Sequence, residues 1–333
     1  MKGNNFWYKL KDNKKPILAL APMAGFTNSV FRRLCCSYGA DVVYSEMASV
    51  TALHYYNFKK KFTDFKKRDS GGEATLKLLD FKEGEEKYYV VQVFGSDPTH
   101  FISATQLIAK KIKPHGIDIN FGCPVGKIIK QGAGADLMKD LKRSREVIKA
   151  VLYSTKLPVS IKLRLKAGQV HCLDFLKNIS DLPVSAVMIH GRSLSQGFVG
   201  EPDFDSLRKV RGYFTGPILA NGGINNLETA RQALKLSRAD GLGLARGVLG
   251  RPWFFQELKN NQEKNYSLAD IFKVMIKQAT MLEKEQGEGS LVELRKHLAW
   301  YVQGQNGASR LRAELVRINS VKDLKTIAKD YLL

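Results

Sequence analysis

The chain has 333 residues, 44% hydrophobic and 26% charged, which allows one large catalytic domain with a small appendage around a sizeable core. Its 53 Lys and Arg against 32 Asp and Glu give a formal net charge of +21, and self-repulsion of that size favours a polyanionic partner such as nucleic acid. Cys35, Cys36, Cys123 and Cys172 form neither a CxxC pair nor a metal-type spacing, and no run approaches the ~20 apolar residues of a membrane span, so a reduced, cytoplasmic chain with no metal and no membrane contact is expected.

Basic residues precede the apolar run Ile17-Leu18-Ala19-Leu20 and imitate a signal peptide, but the run is short and Pro22 interrupts it. From about residue 15 to 255, short apolar runs alternate with helical patterns. Strands are expected at 17–20, 42–45, 90–94, 116–120, 159–163, 186–190, 218–221 and 241–245. Helices are expected at 29–38, 98–111, 141–154, 173–179, 205–211 and 227–236. Several strand runs are continuously apolar rather than alternating, which suits parallel strands buried on both faces. This order predicts an α/β fold, a (β/α)8 TIM barrel. A Rossmann-type sheet would want GxGxxG after its first strand, where this chain has Ala21-Pro22-Met23-Ala24-Gly25.

Residues 58–87 carry Lys59-Lys60-Lys61, Lys66-Lys67-Arg68, Gly71-Gly72 and Glu83-Gly84-Glu85-Glu86. This reads as a solvated surface excursion between the second and third strands, with RNA contact by its basic half as the sharper alternative. After Trp253 the strand signals cease. Residues 267–333 show helical patterns broken near Gly287-Glu288-Gly289 and 304–307, opened by a capping box at Ser267-Leu268-Ala269-Asp270. The expected division is a barrel over residues 1–260 and a small all-α helical domain over 261–333.

In such a barrel the active site lies at the C-terminal ends of the strands. Those positions hold Pro22, Met23 and Ala24, then Gln92, Asn120, Cys123, Lys162, Arg164, His190 and Arg192. Strands seven and eight end in Asn221-Gly222-Gly223 and Ala245-Arg246-Gly247, small-residue turns suited to a phosphate beside a guanidinium. Lys162, half-buried on a strand end, needs an anion; a reduced flavin or Glu46 would each supply one. Cys123, fixed between Gly122 and Pro124, could act as nucleophile or general acid, and spacing does not choose between them. The other three cysteines read as packing residues. His190 is a base or, preferably, a hydrogen-bond donor to a cofactor.

These residues resemble one family closely, the tRNA-dihydrouridine synthases, nearest its bacterial B-type branch. The likeness rests on Ala21-Pro22-Met23-Ala24-Gly25-Phe26-Thr27, Phe31-Arg32-Arg33, Ser45-Glu46-Met47 and Gln92-Val93-Phe94-Gly95-Ser96. It continues through Asp118-Ile119-Asn120-Phe121-Gly122-Cys123-Pro124 with Lys127, Gly132-Ala133-Gly134-Ala135, Lys162-Leu163-Arg164, His190-Gly191-Arg192, Asn221-Gly222-Gly223 and Gly250-Arg251-Pro252-Trp253. Arg295-Lys296-His297-Leu298-Ala299-Trp300-Tyr301 resembles the family's C-terminal signature.

The resemblance implies FMN as cofactor, NADPH or NADH as reductant, and tRNA as substrate; nothing in the sequence sets the oligomeric state, and monomer is the default expectation. Pro22, Met23 and Ala24 would line the flavin, and Gln92 and Lys162 would contact its ring. Asn221, Gly222, Gly223, Ala245 and Arg246 would hold the phosphate end near His190. Cys123 matches the family's catalytic cysteine, and Asn120, Arg164 and Arg192 would face the uracil. Asn221-Gly222-Gly223 replaces a commoner Asn-Gly-Asp and Ala245 an often different residue, with no required side chain lost. The implied reaction puts hydride on uracil C6 from the flavin and a proton on C5 from Cys123. Two rivals are a barrel oxidoreductase acting on a free pyrimidine and a non-catalytic RNA-binding barrel. Different members modify uridines 16, 17, 20 or their neighbours, and no motif here selects among them.

Overall fold

The structure, a computed structural model, describes residues 5–61, 71–287 and 289–332. Eight parallel strands close into a ring: β1 (Ile17–Leu20), β2 (Val42–Tyr44), β3 (Tyr89–Phe94), β4 (Gly116–Asn120), β5 (Val159–Arg164), β6 (Ala186–His190), β7 (Ile218–Asn221) and β8 (Gly241–Leu244). Each pairs with its sequence neighbours, and β1 pairs with β8 to close the barrel. The two-residue strand Ala48–Ser49 adds a pairing to the end of β3. All eight expected strands are present, and where an end moves it moves by one residue.

The strands are legible because both faces are buried. Along β1, Leu18 and Leu20 pack outward against helices, while Ile17 and Ala19 point to the barrel axis with Tyr44, Met188 and Leu219. The surrounding helices Ser29–Ser37, Pro98–Lys111, Leu141–Ser154 and Leu227–Ser237 start where Asn28, Asp97, Asp140 and Asn226 accept backbone N–H bonds from the first turn. Such a bond satisfies one of the donors a helix start leaves open.

A helix the sequence reading missed, Phe6–Asp12, closes the N-terminal end of the barrel. Trp7 is fully buried, and Phe6 and Leu10 join the axial cluster; each such side chain stabilises by ~1.5–3 kcal/mol. With that end plugged, the cavity opens at the opposite, C-terminal end.

The second half of residues 58–87 is a mostly exposed excursion, as expected, but it is pinned to the barrel at a few buried positions. Leu79 is fully buried, and Glu86 forms an ion pair with Arg32 in which neither side chain reaches solvent, with Nε to Oε2 at 2.6 Å. Ser29 Oγ donates to Glu86 at 3.1 Å, and Arg32 also donates to the carbonyls of Thr27 at 2.7 Å and Asp80. A buried carboxylate needs these partners, so the acidic run tethers the excursion to the barrel. Lys66-Lys67-Arg68 lies outside the described residues.

The chain ends in the helices Leu268–Gln286, Arg295–Tyr301, Ala308–Leu315 and Val321–Leu332. Ser267 Oγ accepts the Asp270 N–H at 3.2 Å and donates to its carboxylate at 2.7 Å, fixing the start. Leu282, Leu298, Leu311 and Leu324 belong to the same apolar cluster as the outer barrel face. Gly250 marks the junction: it has φ +70, and a Cβ there would overlap the backbone carbonyl of Trp300. Among the described residues no helix is long and apolar enough to cross a membrane, and no group of His, Cys, Asp and Glu could hold a metal ion.

Candidate active site

The C-terminal ends of the strands open into a cavity of about 1200 Å³. Every residue singled out from the strand ends lines it, from Pro22, Met23 and Ala24 through Gln92 and Cys123 to Ala245 and Arg246. Parallel register explains the convergence. Asn120 lies opposite Lys162, and two residues further along the strands Arg164 lies opposite His190 and His190 opposite Asn221, so two successive rows across four adjacent strands present polar side chains to the same mouth.

The Cys123 loop is held from several directions. Asn120 Oδ1 accepts the N–H groups of Gly122 at 3.0 Å and Cys123 at 2.9 Å. Its Nδ2 donates to Gln92 Oε1 at 2.9 Å, and Gln92 Nε2 donates to Asp118 Oδ2 at 2.8 Å. Ser160 Oγ completes the chain, donating to Asp118 Oδ1 at 2.7 Å. Arg164 Nε donates to the Gly122 carbonyl at 2.9 Å, while Nη1 serves the carbonyls of Ser193 and Gly197, each at 2.9 Å. On the far side, a Cβ on Gly134 would stand 2.9 Å from the Cys123 carbonyl oxygen, so only glycine allows this approach. The amides of Asn120 and Gln92 and the Arg164 guanidinium thus spend hydrogen bonds on building the loop. Cys123 itself is half-buried, and burial pushes its thiol pKa up against the pull of Lys162 and Arg164. It is therefore a thiol, not a thiolate, at neutral pH.

Lys162 stands beside it, and burial, with Arg164 adding repulsion, lowers its pKa to about 8. Its opposing carboxylate is Asp118, itself fully buried and raised by desolvation to about 6. The alternative of a Lys162–Glu46 ion pair is overturned: Glu46 instead accepts the Gly25 N–H, and the cation acting on it from outside the barrel is Lys296.

His190 Nδ1 accepts the Arg192 N–H at 3.2 Å, so the neutral ring carries its proton on Nε2. Burial and the charges of Lys162, Arg164, Arg192 and Arg246 drive its pKa down to about 2. Such a ring donates a hydrogen bond and is a poor base. Lys162, Arg164, Arg192 and Arg246 therefore form a cationic wall around the His190 ring. Arg192 Nε is spent on the Gly200 carbonyl at 2.7 Å, but its buried Nη1 has no partner among the described residues. Gly222 (φ +106) and Gly223 (φ +69) occupy a backbone region that favours glycine, and a Cβ on Gly222 would press on the His190 ring at 3.0 Å. An orphaned guanidinium nitrogen beside bare backbone is a place for an anionic group.

The sequence reading missed other walls. Phe198 is half-exposed, with the guanidinium carbons of Arg246 and Arg164 at 4.8 and 5.6 Å from its ring centroid. Its apolar Phe-Val pair inside a glycine-bounded loop was the available signal. Met47, and Trp300, Gln303 and Gln305 from the helical region, also line the cavity; Met47 and Trp300 lie in sequence motifs without an assigned role, and Gln303 and Gln305 carried no local signal.

The ring of strands and its polar mouth define a (β/α)8-barrel enzyme working at the C-terminal face. Its backbone is similar to that of the solved structure described as TcOYE with pHBA, with a TM-score of 0.50 at 11% identity, covering 77% of this chain and 92% of that one. A profile described as dihydrouridine synthase (Dus) matches residues 19–332. The tRNA-dihydrouridine synthase B of Vibrio cholerae is 32% identical over 92% of this chain and 91% of its own, and the probable tRNA-dihydrouridine synthase 1 of Synechocystis sp. is 30% identical over 92% and 84%. The chain belongs to the dihydrouridine synthase family.

Proposed function

We propose that this protein reduces the C5=C6 bond of a uridine in the D-loop of tRNA, using FMN and NADPH or NADH, in the cytoplasm and as a monomer. The observation that carries this reading is a protonated, half-buried Cys123 on a rigid loop beside Lys162, inside a cavity whose wall also carries Arg164, Arg192 and Arg246. The residues fit a phosphorylated flavin. Gly222, Gly223, Ala245 and Arg246, with Asn221 behind them, would hold its phosphate, and His190 would donate from Nε2. Pro22, Met23, Ala24, Gln92 and Lys162 would border its ring. Bound there, a reduced flavin would supply the hydride for uracil C6.

The chain's own groups do the rest. Cys123 Sγ–H delivers the proton to C5 as general acid, for which a raised thiol pKa is the required state. Lys162, Arg164 and Arg192 offset negative charge that develops on the uracil carbonyls. Asn120 holds the cysteine backbone and meets the base edge.

A uridine inside folded tRNA cannot reach Cys123 unless it is flipped out, which costs a few kcal/mol. Phosphate contacts from the basic surface of residues 1–260 and from the helical domain, residues 261–333, would offset that cost. The test is to incubate the flavin-loaded protein with NADPH and unmodified tRNA, or with free uridine or uracil, and assay dihydrouridine. Reduction of tRNA alone, weakening steeply with salt, is expected; reduction of the free pyrimidine alone would replace this reading.

A further inference from the structure

Two segments, Ser45-Glu46-Met47 and Arg295-Lys296-His297, sit far apart in sequence and have no part in the chemistry above. They meet at the loop that follows β1. Ser45 Oγ accepts the Gln92 N–H at 2.9 Å and donates to the Glu46 carbonyl at 2.6 Å, which fixes the turn after β2. The Glu46 side chain, only 9% exposed, accepts the N–H of Gly25 at the tip of the loop. From the other side, Arg295 anchors its helix through Nε to the Ile318 carbonyl at 3.0 Å and Nη2 to Asn319 Oδ1 at 2.8 Å. The next two side chains then reach the barrel.

His297 is fully buried, with its ring centroid 5.1 Å from that of Phe26 and 4.7 Å from that of Phe31. Lys296 Nζ lies 5.5 Å from the Phe26 centroid and 3.2 Å from where a Cβ on Gly25 would be. A neutral acceptor would satisfy one N–H. A nearly buried carboxylate costs desolvation that a single amide does not offset: burial raises the Glu46 pKa, and the Gly25 N–H, Lys296 and Arg32 pull it back.

We infer that Glu46 and Lys296 are positioning residues that clamp residues 22–26 from both domains, making the C-terminal helical region a structural part of the flavin cradle. This rests on the assignment of Pro22, Met23 and Ala24 to the flavin ring. The clamp gives the two domains a common contact: disturbing the helix Arg295–Tyr301 loosens the loop without touching Cys123 or the cationic wall.

The experiment measures FMN affinity by fluorescence quenching, together with the visible circular dichroism of the bound flavin. It compares the wild type with Glu46→Gln, Glu46→Ala, Lys296→Met and the Glu46→Gln/Lys296→Met pair, with thermal unfolding confirming that each is folded. Glu46→Ala, which loses both the acceptor and the charge, should weaken FMN about tenfold, or about 1.4 kcal/mol. Glu46→Gln keeps an acceptor for Gly25 and loses the partner of Lys296, so it should weaken FMN about threefold, as should Lys296→Met. The paired variant should match either single change, with the same altered dichroism, because one interaction has been removed. FMN affinity within twofold of wild type in Glu46→Ala, or full additivity in the paired variant, overturns the clamp while leaving the proposed reaction intact. A wild-type protein that binds no flavin overturns both.

Discussion

Replacing Lys162 by methionine removes the cation that acts most strongly on Cys123 while keeping the volume of the side-chain stem. In the free protein Lys162 titrates at about 8, because burial and Arg164 outweigh Asp118. At pH 7 it is about 90% charged and at pH 9 about 90% neutral, since each pH unit past the pKa is a factor of ten. A flavin ring that requires the ammonium raises this pKa on binding. FMN affinity should therefore be flat between pH 6 and 7 and fall as pH rises through about 8. At pH 9 recharging the lysine costs ~1.4 kcal/mol, a tenfold weakening. Lys162→Met should bind FMN more weakly at neutral pH and show no loss centred near pH 8. Flavin fluorescence titrations across this range measure both curves. An identical alkaline loss in wild type and variant would refute the role given to Lys162.

Removing one partner of the Arg32–Glu86 pair by Glu86→Ala should destabilise the fold by ~3–5 kcal/mol in urea unfolding, because a fully buried guanidinium loses its counter-charge; a change under about 1 kcal/mol would mean that its carbonyl partners suffice. Gly250→Ala forces a left-handed backbone and a clash with the Trp300 carbonyl of the helix Arg295–Tyr301, so it should cost ~1–3 kcal/mol in urea unfolding and weaken FMN as well as tRNA. Unchanged stability and FMN affinity would show that this helix is not seated on the barrel as described. His190 should remain neutral down to pH 4 by NMR, its pKa being held near 2 by burial and four cations; protonation near pH 6 would show that the cationic wall is not assembled as described.

The barrel was readable because its strands are buried on both faces, so runs such as Val90-Val91-Gln92-Val93-Phe94 stand out against helical periodicity. The site was readable for a related reason: a polar residue at the end of an apolar strand has few places to go except the mouth. What stayed hidden depends on register and distant pairing. The helix Phe6–Asp12 is too short for a periodic signal, and its plugging role exists only once the barrel closes. Glu86 finds its partner 54 residues away, so its charge run read as solvated. Asp118 shares a strand face with Asn120 and so approaches Lys162, a placement the period of two implies once β4 and β5 are known to be neighbours. That Asn120, Gln92 and Arg164 hold the Cys123 loop follows from cross-strand geometry absent from any linear pattern.

The most direct test of the central claim is single-turnover reduction of unmodified tRNA by the protein loaded with reduced FMN, comparing wild type with Cys123→Ala. Both should bind flavin and tRNA alike, and the wild type should form dihydrouridine. Losing the general acid should slow the variant by ~10²–10⁴-fold at pH 7. A Cys123→Ala protein that forms dihydrouridine in tRNA at the wild-type rate would contradict the account.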